Sequence, residues 1–352
     1  MFTPLPFHTV SFVHVQSSIE PIMYITLSFC IALILRLFLS VTCFDISNIL
    51  ADMNRCKMFK FVNYIGKGCG VRFRSSWANF RKSCHDYDKY RRPVGSDLIA
   101  GLSQFYTGKQ LKDLHILDVG CGTGLYGKAL LDLGLGKMSL IDASKDMLSV
   151  ASNKLATYIE QGCVLSLDHY QTPPLPYQNG SFDVVLLNMV IHHLDSVNGR
   201  TFPNAIRLLK EAEMCLKKKG IVAITTIPPS NAMNYWTSKQ CYEFTHRTIQ
   251  YFPSLDEYET MFIKSGLKSV QKLTFLGPGL ICYENIIDSN GYLDQSWVNS
   301  ACVFELATDE EMIAIHEKVH GLVQSGMWQQ WTQENDTTEA LGGVTLLVCH
   351  KD

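Results

Sequence analysis

Asp118, Asp142, His192 and His193 are the residues whose types and spacing could bind a charged ligand and move a proton. Asp118 lies inside and Asp142 beyond "LDVGCGTGLYG", Leu117 to Gly127, which holds four glycines in eleven residues. Glycine at that density costs backbone entropy on folding, so the chain needs a bare backbone there, as where a ligand approaches closely. Gly122-x-Gly124-x-x-Gly127 fits the dinucleotide-binding fingerprint, overlapped by Gly120-x-Gly122-x-Gly124. Asp142 lies about 20 residues on, where an acid can accept hydrogen bonds from both hydroxyls of a ribose. His192 and His193 trail the most strand-like run of the chain, and an imidazole with an ordinary pKa near 6.5 can take up a proton.

Such residues work together only if strands and helices bring them to one edge. "LHILDVG" reads as a short buried strand ending in turn residues, and "GLYGKALLDLG" as a helix with Leu125, Ala129, Leu130 and Leu133 on one face and Gly134 as its C-cap. "MSLIDAS" is a second strand, and "SKDMLSVASNKLATYI" a second helix capped by Ser144. "CVLSL" and "FDVVLLNMV" give two more strands. "TFPNAIRLLKEAEMCLKKKG" predicts a helix with basic residues in its last turn, and "GIVAITTI" a fifth strand closed by Pro228-Pro229. Strand–helix alternation at these short spacings predicts an α/β fold with a doubly wound, Rossmann-like parallel sheet, helices on both faces and its ligand at the carboxyl ends of the strands. Residues 231–352 are richer in aromatics and break the alternation. They predict a cap or insertion followed by closing strands such as "GLKSVQKLTF" and "GGVTLLVCHK".

Charge chooses between the ligands that use such a turn. A dinucleotide would set its pyrophosphate at the helix N-terminus, where Asp118 would oppose it. A ligand carrying an ammonium and a sulfonium favours the carboxylate, and S-adenosylmethionine is such a ligand. The ordered set "ILDVGCGTGLYGKAL", "LIDAS" and "LPYQNGSFDVVLLNMVIHHL" resembles the class I S-adenosylmethionine-dependent methyltransferases, the small-molecule type 11 group above all, over roughly residues 85–230. The resemblance implies a seven-stranded sheet. It places Asp118, Gly120, Cys121, Gly122 and Gly124 in the cofactor loop, Asp142 on the ribose, Ala143 and Met147 beside the adenine, and Asn188 at the methionine part. Gln171 stands where the family often has an aspartate for the adenine amino group. "DYDKYRRPVG" resembles the segment that closes over the cofactor, which makes Tyr87, Tyr90 and Arg91 or Arg92 candidates.

These residues together predict an enzyme moving a methyl group to a small, apolar or amphipathic acceptor, with no metal. His193, and next to it His192, are the candidate bases; His246 is a weaker one, and Tyr235 and Trp236 could line the acceptor pocket. No N-P-P-Y or D-P-P-Y comes after the fourth strand, which argues against methylation of nucleic acid. A protein or arsenical methyltransferase and a non-catalytic cofactor-binding scaffold are the alternatives; arsenical chemistry would need Cys163, Cys215 and Cys241 gathered by the fold.

The 31 basic and 33 acidic residues of the 352 give no overall pull toward nucleic acid, and 47% hydrophobic residues mark a folded chain. The twelve cysteines are scattered without a C-x-x-C pair, which predicts reduced thiols in a cytosol-like compartment. Residues 1–52 form an extension whose apolar stretch, residues 22–44, has Arg36 as its only charge and the length of a membrane span. Residues 53–94 form a basic linker and N-terminal cap. Basic residues from Arg55 to Lys82, without an acid, place the C-terminal bulk of the chain on the cytosolic side. A start at Met53 would instead give an Arg/Lys-rich, acid-free mitochondrial presequence. Residues 95–230 are the predicted cofactor-binding core and 231–352 the substrate cap and closing strands.

Overall fold

The computed structural model describes residues 84–351 apart from 197, 241 and 289, all within the compact unit Arg72–Asp352. The apolar segment 22–44, the basic stretch 55–82 and Cys241 lie outside the described residues. Among the described residues no helix is long and apolar enough to cross a membrane.

Seven strands form one sheet: β1 (His115–Val119), β2 (Lys137–Asp142), β3 (Val164–His169), β4 (Phe182–Asn188), β5 (Leu216–Thr226), β6 (Leu267–Thr274) and β7 (Thr345–Lys351). Their order is β3-β2-β1-β4-β5-β7-β6. β1 to β5 run parallel, and β7 is antiparallel to both its neighbours, so it closes the sheet between β5 and β6. The strand order reverses between β1 and β4, and the ends of those two strands carry the glycine turn and the histidines.

The helices are α1 (Ser96–Thr107), α2 (Leu125–Asp132), α3 (Lys145–Lys154), α4 (Ala156–Glu160), α5 (Pro203–Cys215), α6 (Pro229–Ala232), α7 (Tyr242–Ile249), α8 (Leu255–Ser265), α9 (Tyr283–Asp288), α10 (Gln295–Ser300), α11 (Asp309–Gln324), α12 (Trp328–Asn335) and α13 (Thr338–Leu341). Both faces of the sheet are covered, so its central strands read as continuous apolar runs. Ile116, Val184, Leu186, Ile221, Ala223, Leu346 and Val348 pack beneath α1, α2 and α3. The alternate residues Leu117, Val119, Val185, Leu187, Val222, Ile224, Leu347 and Cys349 pack against α5 and α8.

Three predicted elements differ in detail. The second helix breaks at Leu155 into α3 and α4, with Ser144 accepting from Met147 N at 3.3 Å as expected of its cap. α5 stops at Cys215; Lys217 to Lys219, expected in its last turn, belong to β5, where Lys219 takes φ 65°. The cap does not precede both closing strands: α6 to α8 come before β6, and α9 to α13 lie between β6 and β7. That second insertion packs with Tyr90 and Trp236 into a further core, in which Trp236 is enclosed by Tyr283, Tyr292, Trp328 and Trp331.

Asp183, in "SFDVV", ties the opposite end of the sheet together. Its buried carboxylate accepts from Lys109 Nζ at 2.5 Å, Lys217 Nζ at 2.8 Å and His115 N at 2.9 Å. Burial alone would raise this carboxyl, but the three donors outweigh it and hold it below the ordinary range. Asp183→Ala is expected to cost about 2–4 kcal/mol by urea unfolding, toward the lower end of a broken buried pair because both lysines can regain water. The same contribution is present above about pH 4 in the native protein and is lost as acid protonates the carboxyl below that.

Candidate active site

A cavity of about 1150 Å³ opens at the carboxyl ends of β1, β2 and β4 and runs under the cap. Gly120, Gly122, Asp142, Ala143, Met147, Gln171, Asn188, Tyr87 and Arg91 line it at one end, with His192 and His193 beyond them. The predicted site residues therefore converge, from positions spread over more than a hundred residues of chain. Asp118 and Cys121 border a smaller adjoining void of about 40 Å³, shared with Tyr87, Gly120, Gly122 and Asn188. Gly124 lies outside the cavity: it is the left-handed N-cap of α2 and abuts Leu155.

The backbone explains the glycines. Gly120 takes φ 69°, and a Cβ there would come 2.6 Å from Val190 Cγ2. Gly122 takes φ 54° with nothing within 4 Å of where its Cβ would be, so its bare face looks onto open space. Asp142 holds the turn by accepting from Gly122 N at 2.8 Å and Ser144 N at 2.7 Å. Its carboxylate thus shapes the loop as well as facing the cavity.

The electrostatics are those of a site that wants a cation. Asp118 is buried to 1% exposure, and neither of its carboxylate oxygens has a hydrogen-bond partner. Burial, then the Asp142 carboxylate, push Asp118 up to about 7, against the pull of the Asn188 amide nearby. Burial also raises Asp142, opposed by the N–H groups of Ser144 and Gly122. Asn188 Nδ2 and Gln171 Nε2 are likewise buried without partners, while Asn188 Oδ1 accepts from Thr225 Oγ1 at 3.1 Å. Unpaired buried polar groups cost stability, and four such atoms around the cavity and its adjoining void are matched by a ligand with a cationic group and heterocyclic nitrogens.

At the entrance, Arg91 lies between the rings of Tyr87 and Trp297, 5.6 and 5.3 Å from their centroids. Arg92 turns away to pair with Glu284 at 2.5 Å, and Tyr90 is buried in the core of the cap. Of the two arginines left open by the sequence, only Arg91 lines the cavity.

His192 stacks on Phe252 with centroids 4.0 Å apart and planes at 15°, and its ring is 4.0 Å from that of His193. Burial lowers His193 to about 3 and, with His193 alongside, drops His192 well below its ordinary value. Both rings are neutral at physiological pH, so the expectation of a base titrating near 6.5 does not describe them. The loop is fixed by groups the motifs did not reveal. Asp195 accepts from Asn204 N and Ala205 N at 3.0 Å each, capping α5, and Arg200 binds Glu257 and the carbonyls of Gln250 and Phe252. Met189, at φ 56°, makes the sharp turn out of β4.

Tyr235 lines the cavity as expected, but Trp236 and His246 do not: the first fills the cap core, and the second is exposed beside Tyr242. Trp297, Phe304, Phe244, Phe252 and Ile249 supply the apolar wall, none of them marked by a motif. Cys163 and Cys215 pack on opposite faces of the sheet, and among the described residues no three His, Cys, Asp or Glu converge to hold a metal.

A sheet of this order, closed by an antiparallel seventh strand and carrying a glycine turn after β1 and an acid at the end of β2, is that of a class I methyltransferase. Comparison with known proteins gives the same family. Residues 117–224 match the methyltransferase domain model of type 11. The chain is 28% identical over 187 residues to a demethylmenaquinone methyltransferase of Bacillus licheniformis, covering 47% of this chain and 75% of that one. It is also 28% identical over 148 residues to a ubiquinone biosynthesis O-methyltransferase of Pelagibacter ubique, covering 42% of this chain and 56%, about half, of that relative. A solved structure from Anabaena variabilis, described as a methyltransferase from an antibiotic biosynthesis pathway, shares the fold with a TM-score of 0.55 at 18% identity, covering 72% of this chain and 96% of its own. Residues 117–224 therefore carry a class I S-adenosylmethionine-dependent methyltransferase domain, whose cofactor is S-adenosylmethionine.

Proposed function

We propose that the acceptor is a small, uncharged, largely apolar compound, and that the site residues share the binding of donor and acceptor between them. Asp118 takes the ammonium of the cofactor, directly or through a water in the small void, and Asn188 lies along the methionine part. Asp142 accepts from the ribose hydroxyls. Ala143 and Met147 flank the adenine, and Gln171 offers its edge both an amide oxygen and the unpaired Nε2. Tyr87 and Arg91 close over the entrance, while Gly120, Cys121, Gly122 and Gly124 shape the turn. Bound here, the cofactor supplies an electrophilic methyl group on a sulfonium.

The observation that carries the acceptor class is the far half of the cavity, walled by aromatic and aliphatic side chains around two neutral histidines. A charged acceptor would lose its hydration there without recovering it. The names of the relatives, which concern quinone biosynthesis, lend support to a ring-bearing acceptor. His193 accepts a hydrogen bond from the reacting X–H and orients the nucleophile; His192, stacked on Phe252, keeps His193 in place. Most of the acceleration comes from that positioning. An acceptor that gains the methyl group gives up one proton, which leaves through His193 to solvent.

A screen of apolar phenols, quinols and aryl amines with methyl-labelled S-adenosylmethionine tests this reading; label found only in anionic or cationic acceptors would reject it. Asp142→Ala is expected to weaken cofactor binding by about ten- to a hundredfold by calorimetry, since a charged buried hydrogen bond is worth roughly 1.5–3 kcal/mol and Gly122 is released as well. Unchanged affinity would remove Asp142 from the site.

Residues 22–44, by their hydropathy and basic flank, support a catalytic domain held at the cytosolic face of a membrane. Sedimentation of the full chain with membranes, extractable by detergent but not by salt, is the expected result. Release by salt rejects a spanning anchor, and import of a chain begun at Met53, with removal of its basic stretch, points to mitochondria.

A further inference from the structure

The segment from Tyr87 to Arg92 brings two residues to the cavity, yet it is not part of the sheet. It is held from both sides. Toward the cap, Arg92 N donates to Leu280 O at 2.9 Å, Cys282 N to Tyr90 O at 3.1 Å, and Tyr90 Oη to Asp294. Toward the core, the side chain of Asp88 anchors it. Asp88 accepts from Thr123 Oγ1 at 2.6 Å, inside the glycine turn between Gly122 and Gly124. Its other oxygen lies 2.5 Å from Lys154 Nζ, at the end of α3, and Lys154 in turn donates to Thr123 Oγ1 at 3.1 Å. Three side chains from three elements therefore close a small polar ring over the turn.

We propose that Asp88 is a positioning residue for the cofactor: with Lys154 it latches the strap bearing Tyr87 and Arg91 onto the glycine turn and sets how fast the cofactor leaves. The proposal rests on the cofactor placement proposed for Asp118 and Asp142. The geometry favours a latch over an incidental surface pair. Lys154 is only 15% exposed and Asp88 33%, so the pair is partly shielded from water and salt. Thr123 is buried, and its hydroxyl is the shared member of both contacts. The residues on either side of Asp88 and Thr123, namely Tyr87 on the strap and Gly122 in the turn, both line the cavity, so parting the pair separates two walls of the cofactor end. Arg91, wedged between Tyr87 and Trp297, carries the same displacement to the cap.

The test uses the full chain and stopped-flow tryptophan fluorescence to follow S-adenosylhomocysteine binding and release. Asp88→Asn and Lys154→Met are each expected to speed release about tenfold, with the association rate unchanged or faster. The double variant should release no faster than either single one, because both remove the same latch. Lys154→Arg, which keeps the ion pair, should stay within about twofold of wild type. In turnover, KM for S-adenosylmethionine should rise by more than kcat falls. A merely structural role would instead lower the thermal midpoint of the unliganded protein and leave the release rate alone. Release rates of Asp88→Asn and Lys154→Met within twofold of wild type, with wild type binding S-adenosylhomocysteine, would overturn the latch. Failure of wild type to bind it at all would overturn the cofactor placement, and the latch with it.

Discussion

Binding of S-adenosylmethionine is expected to release most of a proton from the protein at pH 6 and little at pH 8, because Asp118 is pushed up to about 7 when unliganded. The carboxyl is buried without a hydrogen-bond partner and faces the field of Asp142, so below neutrality it holds its proton. An ammonium in contact favours the carboxylate and drives that proton off. Calorimetric titration in buffers of different ionisation enthalpy reads the number directly. No pH-dependent release would separate Asp118 from the cofactor. The unliganded protein should show the converse in its stability. The native carboxyl titrates higher than the unfolded one, near 3.8, so unfolding is favoured progressively as pH rises from about 4 to about 7 and not further above that. The loss is on the order of 4 kcal/mol, at about 1.4 kcal/mol for each tenfold change in proton affinity. Asp118→Asn should abolish it: the variant ought to resist urea better than wild type at pH 8 while binding the cofactor less tightly and without proton release. A site that weakens its own empty fold in order to meet a cation is an instance of function set against stability.

The second large effect concerns His193. His193→Ala should lower kcat by about ten- to a hundredfold and leave the dissociation constant for S-adenosylmethionine within about twofold. The expected size lies at or below the lower end of general base catalysis, since a group titrating near 3 is a weak base at neutral pH and contributes mainly by orienting the nucleophile. The pH profile distinguishes this from an ordinary histidine base. With both rings neutral, kcat for wild type should carry no histidine limb between pH 5 and 8. A limb near 6.5 that disappears in His193→Ala would show that the ring titrates normally when the acceptor is bound and would make it a full general base. Unaltered turnover would retire it.

Much of the frame was legible in the sequence. The apolar runs of β1, β2, β4 and β5 are bounded by turn residues, and the glycine turn could be placed between a strand and a helix by local pattern alone. The same locality explains what stayed hidden. Asp183 is tied to Lys109, 74 residues away, and Asp88 to Thr123 and Lys154, so no spacing rule could join them. Asp195 sits beside the histidine pair and caps α5 from eight residues before its first turn, too far for a capping pattern. Lys217 to Lys219 suit a helix end by charge, but pairing of Leu216 with Phe182 pulls them into β5. Arg91 could be told from Arg92 only once the cap had taken the second of them.

Thr274 at the end of β6 faces Thr345 at the start of β7, and their hydroxyl oxygens are 3.0 Å apart. Residues 275–344 thus leave the sheet and return to it at one point, like a cassette held by its two ends. The cost of closing such a loop grows only slowly with its length. The insertion supplies most of an aromatic core completed by Tyr90 and Trp236, and it gives Trp297 and Phe304 to the cavity wall. Evolution could exchange or resize this cassette with little disturbance to the strands that hold Asp118 and Asp142. The strands that hold Asp118 and Asp142 are thus distinct from the cassette, but the strap bearing Tyr87 and Arg91 joins the two, because the cassette grips it at Leu280, Cys282 and Asp294. Chimaeras joined at Thr274 and Thr345 would change the acceptor wall while keeping donor binding only where Leu280, Cys282, Asp294 and Trp297 are carried over.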